Sequence, residues 1–205
     1  MPAKQALQFE KIISDILLNG YAICDDYLSP VAVLGLREAM EMRYQAGAFK
    51  NAGIGKLQEV HQNNLIRKDE INWLAATSEN LAEQVFLTNN NAFIAYLNAT
   101  CYLGISSSEI HFSKYPVGAF YKRHKDAFQQ QKGRVLSMVF YLNNNWDIAN
   151  GGNLVLFPTK NNQTESISIT PIAGRFVCFE SALLEHEVTI CLAERFSITG
   201  WLLNQ

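Results

Sequence analysis

Residues 109–126 read EIHFSKYPVGAFYKRHKD, and they mark the point where the texture of the chain changes. From Glu109 onward, short runs rich in β-branched and aromatic residues alternate with clusters of turn residues, a pattern typical of antiparallel strands. The pattern predicts strands at 110–115, 135–142, 153–157, 167–169, 175–179 and 195–202. We therefore expect an all-β core in the carboxyl-terminal half of the chain.

Upstream of this core, apolar residues recur at helical spacing. The helices predicted from this spacing and from the flanking cap residues cover 5–18, ending at Asn19-Gly20, then Ser29-Pro30 to about Gln45, and roughly 78–97. A short strand is expected at 21–24 and a strand edge or turn at 66–74. Helices ahead of many short strands indicate an α+β, mainly β fold, a double-stranded β-helix (jelly roll) buttressed by amino-terminal helices.

The composition is typical of a globular domain and argues against binding to nucleic acid or to an anionic membrane. With 205 residues, 48% of them hydrophobic, we expect a single domain over 1–205, with helical support over about 1–100 and the jelly-roll core over about 105–205. The formal net charge of −2 gives no electrostatic footprint for nucleic acid or an anionic membrane surface. Oligomeric state is left open.

The amino terminus and the cysteines both favour a cytoplasmic location. Charged residues, Lys4 and Glu10 among them, interrupt the segment where a signal peptide would need an unbroken apolar run. The four cysteines, which we interpret as free and mostly buried, are far apart and show no C-x-x-C spacing.

His124 and Asp126 are the first residues that suggest chemistry. In an extended segment, residues two apart point to the same side, so this imidazole and this carboxylate can converge on one metal ion. His186 supplies a third ligand, and its distance along the chain fits ligands that come from opposite sheets. Two histidines and one carboxylate leave three positions open, as in non-haem Fe(II) oxygenases. His61 and His111 lack ligand partners at useful spacing and are interpreted as surface or hydrogen-bonded core histidines.

The last predicted strand has one polar and one apolar face. Arg195, Ser197, Thr199 and Trp201 share the first, and Phe196 and Ile198 share the second. An arginine that points into a small barrel needs an anionic partner, and a carboxylate ligand fits a guanidinium in bidentate fashion. A salt bridge to Glu180, Glu187 or Glu194 is the structural alternative.

Several linked motifs resemble one family. The runs KYPVGAFYKRHKD (114–126), VFYLNNNWDIANGGNLVLFP (139–158) and HEVTICLAERFSITGW (186–201) are similar to 2-oxoglutarate and Fe(II) dependent prolyl 4-hydroxylases, most of all to the hypoxia-inducible-factor prolyl hydroxylase branch and its bacterial relatives. Looser similarity continues through DDYLSP (25–30) and IRKDEINWL (66–74).

The resemblance implies a role for each matching residue. It makes His124, Asp126 and His186 the iron ligands and pairs Arg195 with the distal carboxylate of 2-oxoglutarate. The pocket for that co-substrate would be lined by Tyr115, Tyr141, Leu154 and Thr199. The positions associated with contact to a protein substrate are Arg67, Asp69, Arg134 and Trp201, and the structural alternative for them is a surface ion-pair cluster beside a packed tryptophan.

The activity that the resemblance implies is hydroxylation, at C4, of a prolyl residue in a protein. The cofactors are Fe(II), 2-oxoglutarate as co-substrate and O₂, with ascorbate as a candidate reductant. The expected partner is a proline-containing protein or peptide, elongation factor Tu by similarity, and neither nucleic acid nor membrane. The glycine-containing loop at 46–64 corresponds to a mobile segment in relatives and is a candidate lid.

Two departures from the family pattern bear on substrate choice. Lys68 replaces the usual glycine between Arg67 and Asp69, and Glu185 precedes the distal histidine. Two other functions stay open. One is an oxygenase of the same fold that acts on another side chain or a small metabolite, and the other is a non-catalytic metal-binding jelly-roll module.

Overall fold

Three α-helices lie in the amino-terminal half of the computed structural model, which describes residues 1–53, 66–126, 133–160 and 163–204. They are α1 (Ala3–Asn19), α2 (Pro30–Gln45) and α3 (Leu81–Cys101). No helix within these described ranges has both the length and the apolar character that a membrane crossing requires.

Local capping explains where the helices begin and end. Gly20, at φ +82°, closes α1 with a hydrogen bond from its N–H to the Ile16 carbonyl, as the Asn19-Gly20 signal predicts. The Ser29 side chain accepts from the Ala32 N–H at the start of α2. The third helix begins later than predicted because the side chain of Asn80, not Ser78, caps it, and it continues to Cys101 because neither glycine nor proline interrupts 98–101.

The strands form two main sheets and one short hairpin. Their bounds are β1 (Tyr21–Cys24), β2 (Lys50–Asn51), β3 (Glu70–Trp73), β4 (Ser107–Tyr115), β5 (Tyr121–His124), β6 (Arg134–Tyr141), β7 (Leu154–Phe157), β8 (Thr159–Lys160), β9 (Gln163–Thr164), β10 (Ile167–Ile169), β11 (Phe176–Glu180), β12 (Glu185–Val188) and β13 (Arg195–Leu203). A 3₁₀ turn covers Ile148–Asn150.

The larger sheet has seven strands in the order β1-β11-β6-β13-β4-β3-β2, and the smaller has four in the order β10-β7-β12-β5. Every strand pair within these two sheets is antiparallel. The long strand β13 lies between β6 and β4, so its inward face lies at the middle of the larger sheet.

Each face of the larger sheet is covered. One face packs on the helices through a cluster that includes Phe9, Leu36, Phe93, Phe140 and Ile198. On the other face, a second cluster joins β6 and β11 to β7 and β10 of the smaller sheet. This is the predicted mainly β jelly roll with helices on one side, and Phe196 and Ile198 pack in the helix-side cluster as expected.

The elements that sequence reasoning missed are short or polar. Strands β5 and β12 read YKRH and EHEV, with too few apolar residues to produce a strand signal, and they are held by pairing with each other and with β7. The candidate lid at 46–64 contains β2, and its residues 54–64 lie outside the described residues. All four cysteines are free, and Cys178 and Cys191 are buried.

Candidate metal centre

Three side chains with metal-binding atoms meet at one end of the smaller sheet. His124 ends β5, His186 lies directly opposite it on the paired strand β12, and Asp126 follows His124 by two residues. One ligand atom from each of the three lies within 4.8 Å of the others. The expectation that the ligands come from opposite sheets is wrong, because hydrogen bonding makes β5 and β12 neighbours in the same sheet.

Backbone carbonyls orient the two imidazoles. Nδ1 of His124 lies 2.7 Å from the Lys122 carbonyl oxygen, and Nδ1 of His186 lies 3.3 Å from that of Leu184. A hydrogen on each Nδ1 leaves the lone pair on Nε2, which is the arrangement of a metal-binding histidine. The Nε2 atoms lie 3.4 and 3.5 Å from the Asp126 carboxylate oxygens, and Nε2 of His124 is buried without a hydrogen-bond partner among the described residues.

The carboxylate stays ionised although it is buried. Burial alone would raise the pKa of Asp126, but the two histidines and the hydroxyl of Ser137 hold it well below its usual value. Ser137 donates to Asp126 over 2.7 Å, so Ser181, 2.8 Å away, must donate to Ser137. Burial also lowers the pKa of His186 to about 4, so this imidazole is neutral at neutral pH. A neutral His186 imidazole and an ionised carboxylate fit Fe(II).

A pocket opens beside this triad, between the two sheets. Its wall brings together ten of the residues singled out in the sequence, namely Arg67, Asp69, Tyr115, His124, Asp126, Leu154, His186, Arg195, Thr199 and Trp201. Two others, Tyr141 and Arg134, lie behind the wall. Buried polar atoms without a hydrogen-bond partner among the described residues gather here, including Arg195 Nε, the Tyr141 hydroxyl and Trp201 Nε1.

Arg195 is a buried cation without a counter-charge. Its side chain is 2% exposed and has no ion pair with any described carboxylate, while Glu194, one of the alternatives, pairs with Lys114. One guanidinium nitrogen donates to Ser197, and the guanidinium carbon lies 4.7 and 5.0 Å from the ring centres of Tyr115 and Tyr141. A buried guanidinium in aromatic surroundings is stabilised when an anion enters, so the pocket fits a carboxylate ligand.

The three charged residues among the candidate substrate contacts take part in two ion pairs. Arg67 and Asp69 make a bidentate pair that is mostly buried, so the structural alternative of a surface cluster does not describe them. A guanidinium nitrogen of Arg134 donates a hydrogen bond to the Glu109 carboxylate. The guanidinium carbon of Arg134 lies 3.6 Å from the ring centre of Trp201. Trp201 is 9% exposed.

The two departures from the family pattern lie away from the metal ligands. Glu185 forms an ion pair with Arg123 of β5, and both side chains are about two-fifths exposed. The ammonium of Lys68 lies 5.4 Å from the ring centre of Phe120. Neither residue is among those that line the pocket.

Sequence reasoning missed several residues of the pocket, and His111 is the most important. The interpretation of His111 as a surface or hydrogen-bonded histidine is wrong, because it is buried in the pocket wall and its Nδ1 has no partner among the described residues. His61 lies outside the described residues. Strand alternation gives the signal that could have found His111, since it lies two and four residues before Ser113 and Tyr115 on the same face. Tyr121, which stacks on His124 at 3.6 Å, was also missed.

The metal-free protein is expected to lose stability as the pH falls below about 6.5. Burial lowers the pKa of His111 to about 3, so the unfolded chain takes up a proton that the folded chain does not. Asp69, Arg67, Arg134 and Asp126 are the charged groups that act on this imidazole. The free energy of unfolding should fall between about pH 7.5 and about pH 5, and His111→Gln should remove about 2 kcal/mol of that fall. Urea denaturation with a chelator present measures it, and an equal pH slope in both proteins would contradict the assignment.

Comparison with known proteins adds a family model and several relatives. The model described as the 2OG-Fe(II) oxygenase superfamily matches residues 110–203. Prolyl hydroxylase EGLN3 of Homo sapiens is 26% identical over 206 residues, which cover 95% of this chain and 85% of the human protein.

Two similar solved structures are also prolyl hydroxylases. The crystal structure of a Pseudomonas putida prolyl-4-hydroxylase has a TM-score of 0.86 at 29% identity and covers 97% of this chain and 100% of the other. A Trichoplax adhaerens prolyl hydroxylase, solved with a peptide from the oxygen degradation domain of hypoxia inducible factor, has a TM-score of 0.87 at 27% identity and covers 98% and 91%.

Proposed function

Because residues 110–203 match the model of the 2OG-Fe(II) oxygenase superfamily, we propose that the chain hydroxylates a prolyl residue, at C4, in a protein substrate. The chain is a dioxygenase that uses Fe(II), 2-oxoglutarate and O₂. The observation that carries the proposal is the joint presence, in one pocket, of the His124, Asp126 and His186 cluster and the unpaired cation of Arg195.

The proposed roles follow from the chemistry of each group. His124, Asp126 and His186 would hold the iron, and Arg195 would bind the distal carboxylate of 2-oxoglutarate. Fe(II) held there would supply the oxygen chemistry, in which one atom of O₂ converts a substrate C–H bond to C–OH and the other enters the succinate formed when 2-oxoglutarate loses CO₂. The hydrogen bond from Ser137 holds the Asp126 carboxylate in position. Leu154 and Thr199 would line the binding site of 2-oxoglutarate.

The protein's other task is to keep water out and to orient the reacting groups. Tyr115, Tyr141 and Leu154 are at most 5% exposed, so these side chains shield the surroundings of Arg195 from bulk water. Such shielding strengthens the attraction between Arg195 and a carboxylate, since the local dielectric constant is low. Ascorbate is proposed only as an external reductant that keeps the iron as Fe(II).

The proposed substrate is a peptide segment that crosses the pocket mouth. Trp201 lines the pocket with Arg134 stacked on its ring, and the relatives described above are prolyl hydroxylases, one of them solved with a peptide. We propose elongation factor Tu as the first protein to test, by the similarity to bacterial relatives stated above. An oxygenase of a small metabolite is the second candidate, and the ion pairing that already satisfies Arg67 and Arg134 favours it.

We also propose that residues 1–205 work as one unit. The helices cover the face of the larger sheet that is opposite to the pocket, through the cluster that holds Phe112 and Ile198. Because β4 and β13 carry pocket residues on their other faces, loss of this support would disturb the site.

The test is peptide mass spectrometry on a host-cell extract incubated with Fe(II), 2-oxoglutarate and the enzyme. We expect one oxygen atom to be gained at a single proline of one protein, and no gain when 2-oxoglutarate is omitted. Arg134→Gln should lower this peptide turnover about tenfold, a typical loss for one charged contact. Oxygen gained at another residue type, or succinate formed with no peptide modified, would contradict the prolyl assignment.

A further inference from the structure

His111 lies at the centre of the residues that surround the pocket mouth. On β4 it is the direct cross-strand neighbour of Thr199 on one side and of Trp73 on the other. Its ring centre lies 4.9 Å from that of Trp73 and 5.5 Å from that of Trp201. The imidazole is thus held between two indoles, one half exposed and one buried, with an edge in the pocket wall.

No described neighbour satisfies the hydrogen-bonding groups of this imidazole. His111 is 2% exposed, and its Nδ1 is buried without a partner, as is Nε1 of the adjacent Trp201. The charged groups nearby are already paired, Arg67 with Asp69 and Arg134 with Glu109. A buried polar group without a partner costs about 1–3 kcal/mol, and such a group in a pocket wall is explained by a ligand that supplies the missing bond.

The imidazole belongs to the substrate side of the pocket rather than to the co-substrate side. The charges that act on it most strongly are those of Asp69, Arg67 and Arg134, three of the four candidate substrate contacts. Arg195 lies four residues from Thr199 along β13, which is about 13 Å of extended chain. His111 therefore lies on the side of Asp69, Arg67 and Arg134 rather than on the side of Arg195.

The chemistry of the group it would bind follows from its charge. Burial keeps the imidazole neutral at neutral pH, so it offers one donor and one acceptor and has no attraction for an anion. A backbone peptide group fits this description. A prolyl residue has no N–H, so the group that its own backbone can offer is the carbonyl, which accepts a hydrogen bond.

We infer that His111 is a substrate-positioning residue, whose ring N–H donates to a backbone carbonyl of the bound peptide at or next to the target proline. This inference rests on the proposed function and extends it, because it states what the pocket wall recognises. The bond would fix the position of the target ring relative to the metal centre. No charge on the peptide is required.

The test compares His111→Leu with His111→Gln, using the peptide identified by mass spectrometry. Leucine removes both hydrogen-bonding groups, whereas glutamine keeps a donor and an acceptor. We expect His111→Leu to raise KM for the peptide about tenfold, with a smaller change in kcat and with KM for 2-oxoglutarate unchanged. His111→Gln should restore most of the peptide KM. His111→Met provides a second apolar variant if the leucine variant folds poorly.

Three results would overturn the inference. They are a peptide KM that stays at the wild-type value in both apolar variants, a KM for 2-oxoglutarate that rises together with that of the peptide, and a glutamine variant as impaired as leucine. A wild-type enzyme that forms succinate but modifies no peptide refutes the proposed function itself and, with it, the role of His111. An active wild type with unaffected His111 variants refutes the role alone.

Discussion

Asp126→Ala is expected to reduce succinate formation from 2-oxoglutarate at least about a hundredfold. Changes to groups outside the ligand shell already cost 10- to 100-fold in metal affinity or activity, and this substitution removes the only anionic ligand of the three. It also leaves the Ser137 hydroxyl without its carboxylate acceptor. The measurement is succinate released at saturating Fe(II) and 2-oxoglutarate, together with the Fe(II) retained after gel filtration.

Asp15→Ala is the matched control for this prediction. Asp15 lies on α1, forms an ion pair with Lys11 and has no contact with the pocket. The control should keep wild-type activity and iron content. An Asp126→Ala protein that retains iron and forms succinate at the wild-type rate would show that the His124, Asp126 and His186 cluster is not the metal centre.

Arg195→Leu is expected to raise KM for 2-oxoglutarate about thirtyfold or more. Removal of one partner from a buried, hydrogen-bonded charge pair costs about 2–5 kcal/mol. The substitution leaves the distal carboxylate in a dry pocket beside Tyr115 and Tyr141. Initial rates of succinate formation at a series of 2-oxoglutarate concentrations measure the effect. The KM of Arg195→Lys for 2-oxoglutarate should lie between those of the wild type and Arg195→Leu, because lysine keeps the positive charge but cannot make a bidentate contact.

Stability provides an independent check on the same residue. In the ligand-free protein, Arg195 is a buried charge without a counter-ion, so its replacement by leucine should not lower the melting temperature. The rise in melting temperature that 2-oxoglutarate gives the wild type should disappear. Arg123→Leu, which removes an equal charge from the rim, should keep that rise. A stabilisation by 2-oxoglutarate that is equal in Arg195→Leu and wild type would contradict the assignment.

The architecture was predictable where residues repeat at a clear period. Strands β4, β6 and β13 carry apolar and β-branched residues on a buried face, and α1 has both an apolar stripe and a glycine stop. Strands β5 and β12 were not predictable, because their residues are mostly charged or polar and their conformation depends on pairing with each other. That pairing also places His124 beside His186, which no local pattern reveals.

Residue spacing and strand alternation predicted part of the candidate site. The i and i+2 relation of His124 and Asp126 and the polar face that carries Arg195 both lead to the observed pocket. The environment of His111 was not predictable, since it depends on the contact with Trp73, which comes from the distant strand β3. The closed ion pair of Arg67 and Asp69 likewise depends on burial that appears only in three dimensions.

The most direct test of the account is a crystal structure of the protein grown without oxygen, with Mn(II) and 2-oxoglutarate. Mn(II) takes similar ligands to Fe(II) and does not start the reaction without oxygen. The account predicts the metal on Nε2 of His124, the carboxylate of Asp126 and Nε2 of His186, with the distal carboxylate of 2-oxoglutarate in a bidentate contact with Arg195. A metal bound elsewhere, or a co-substrate whose carboxylate does not reach Arg195, would contradict it.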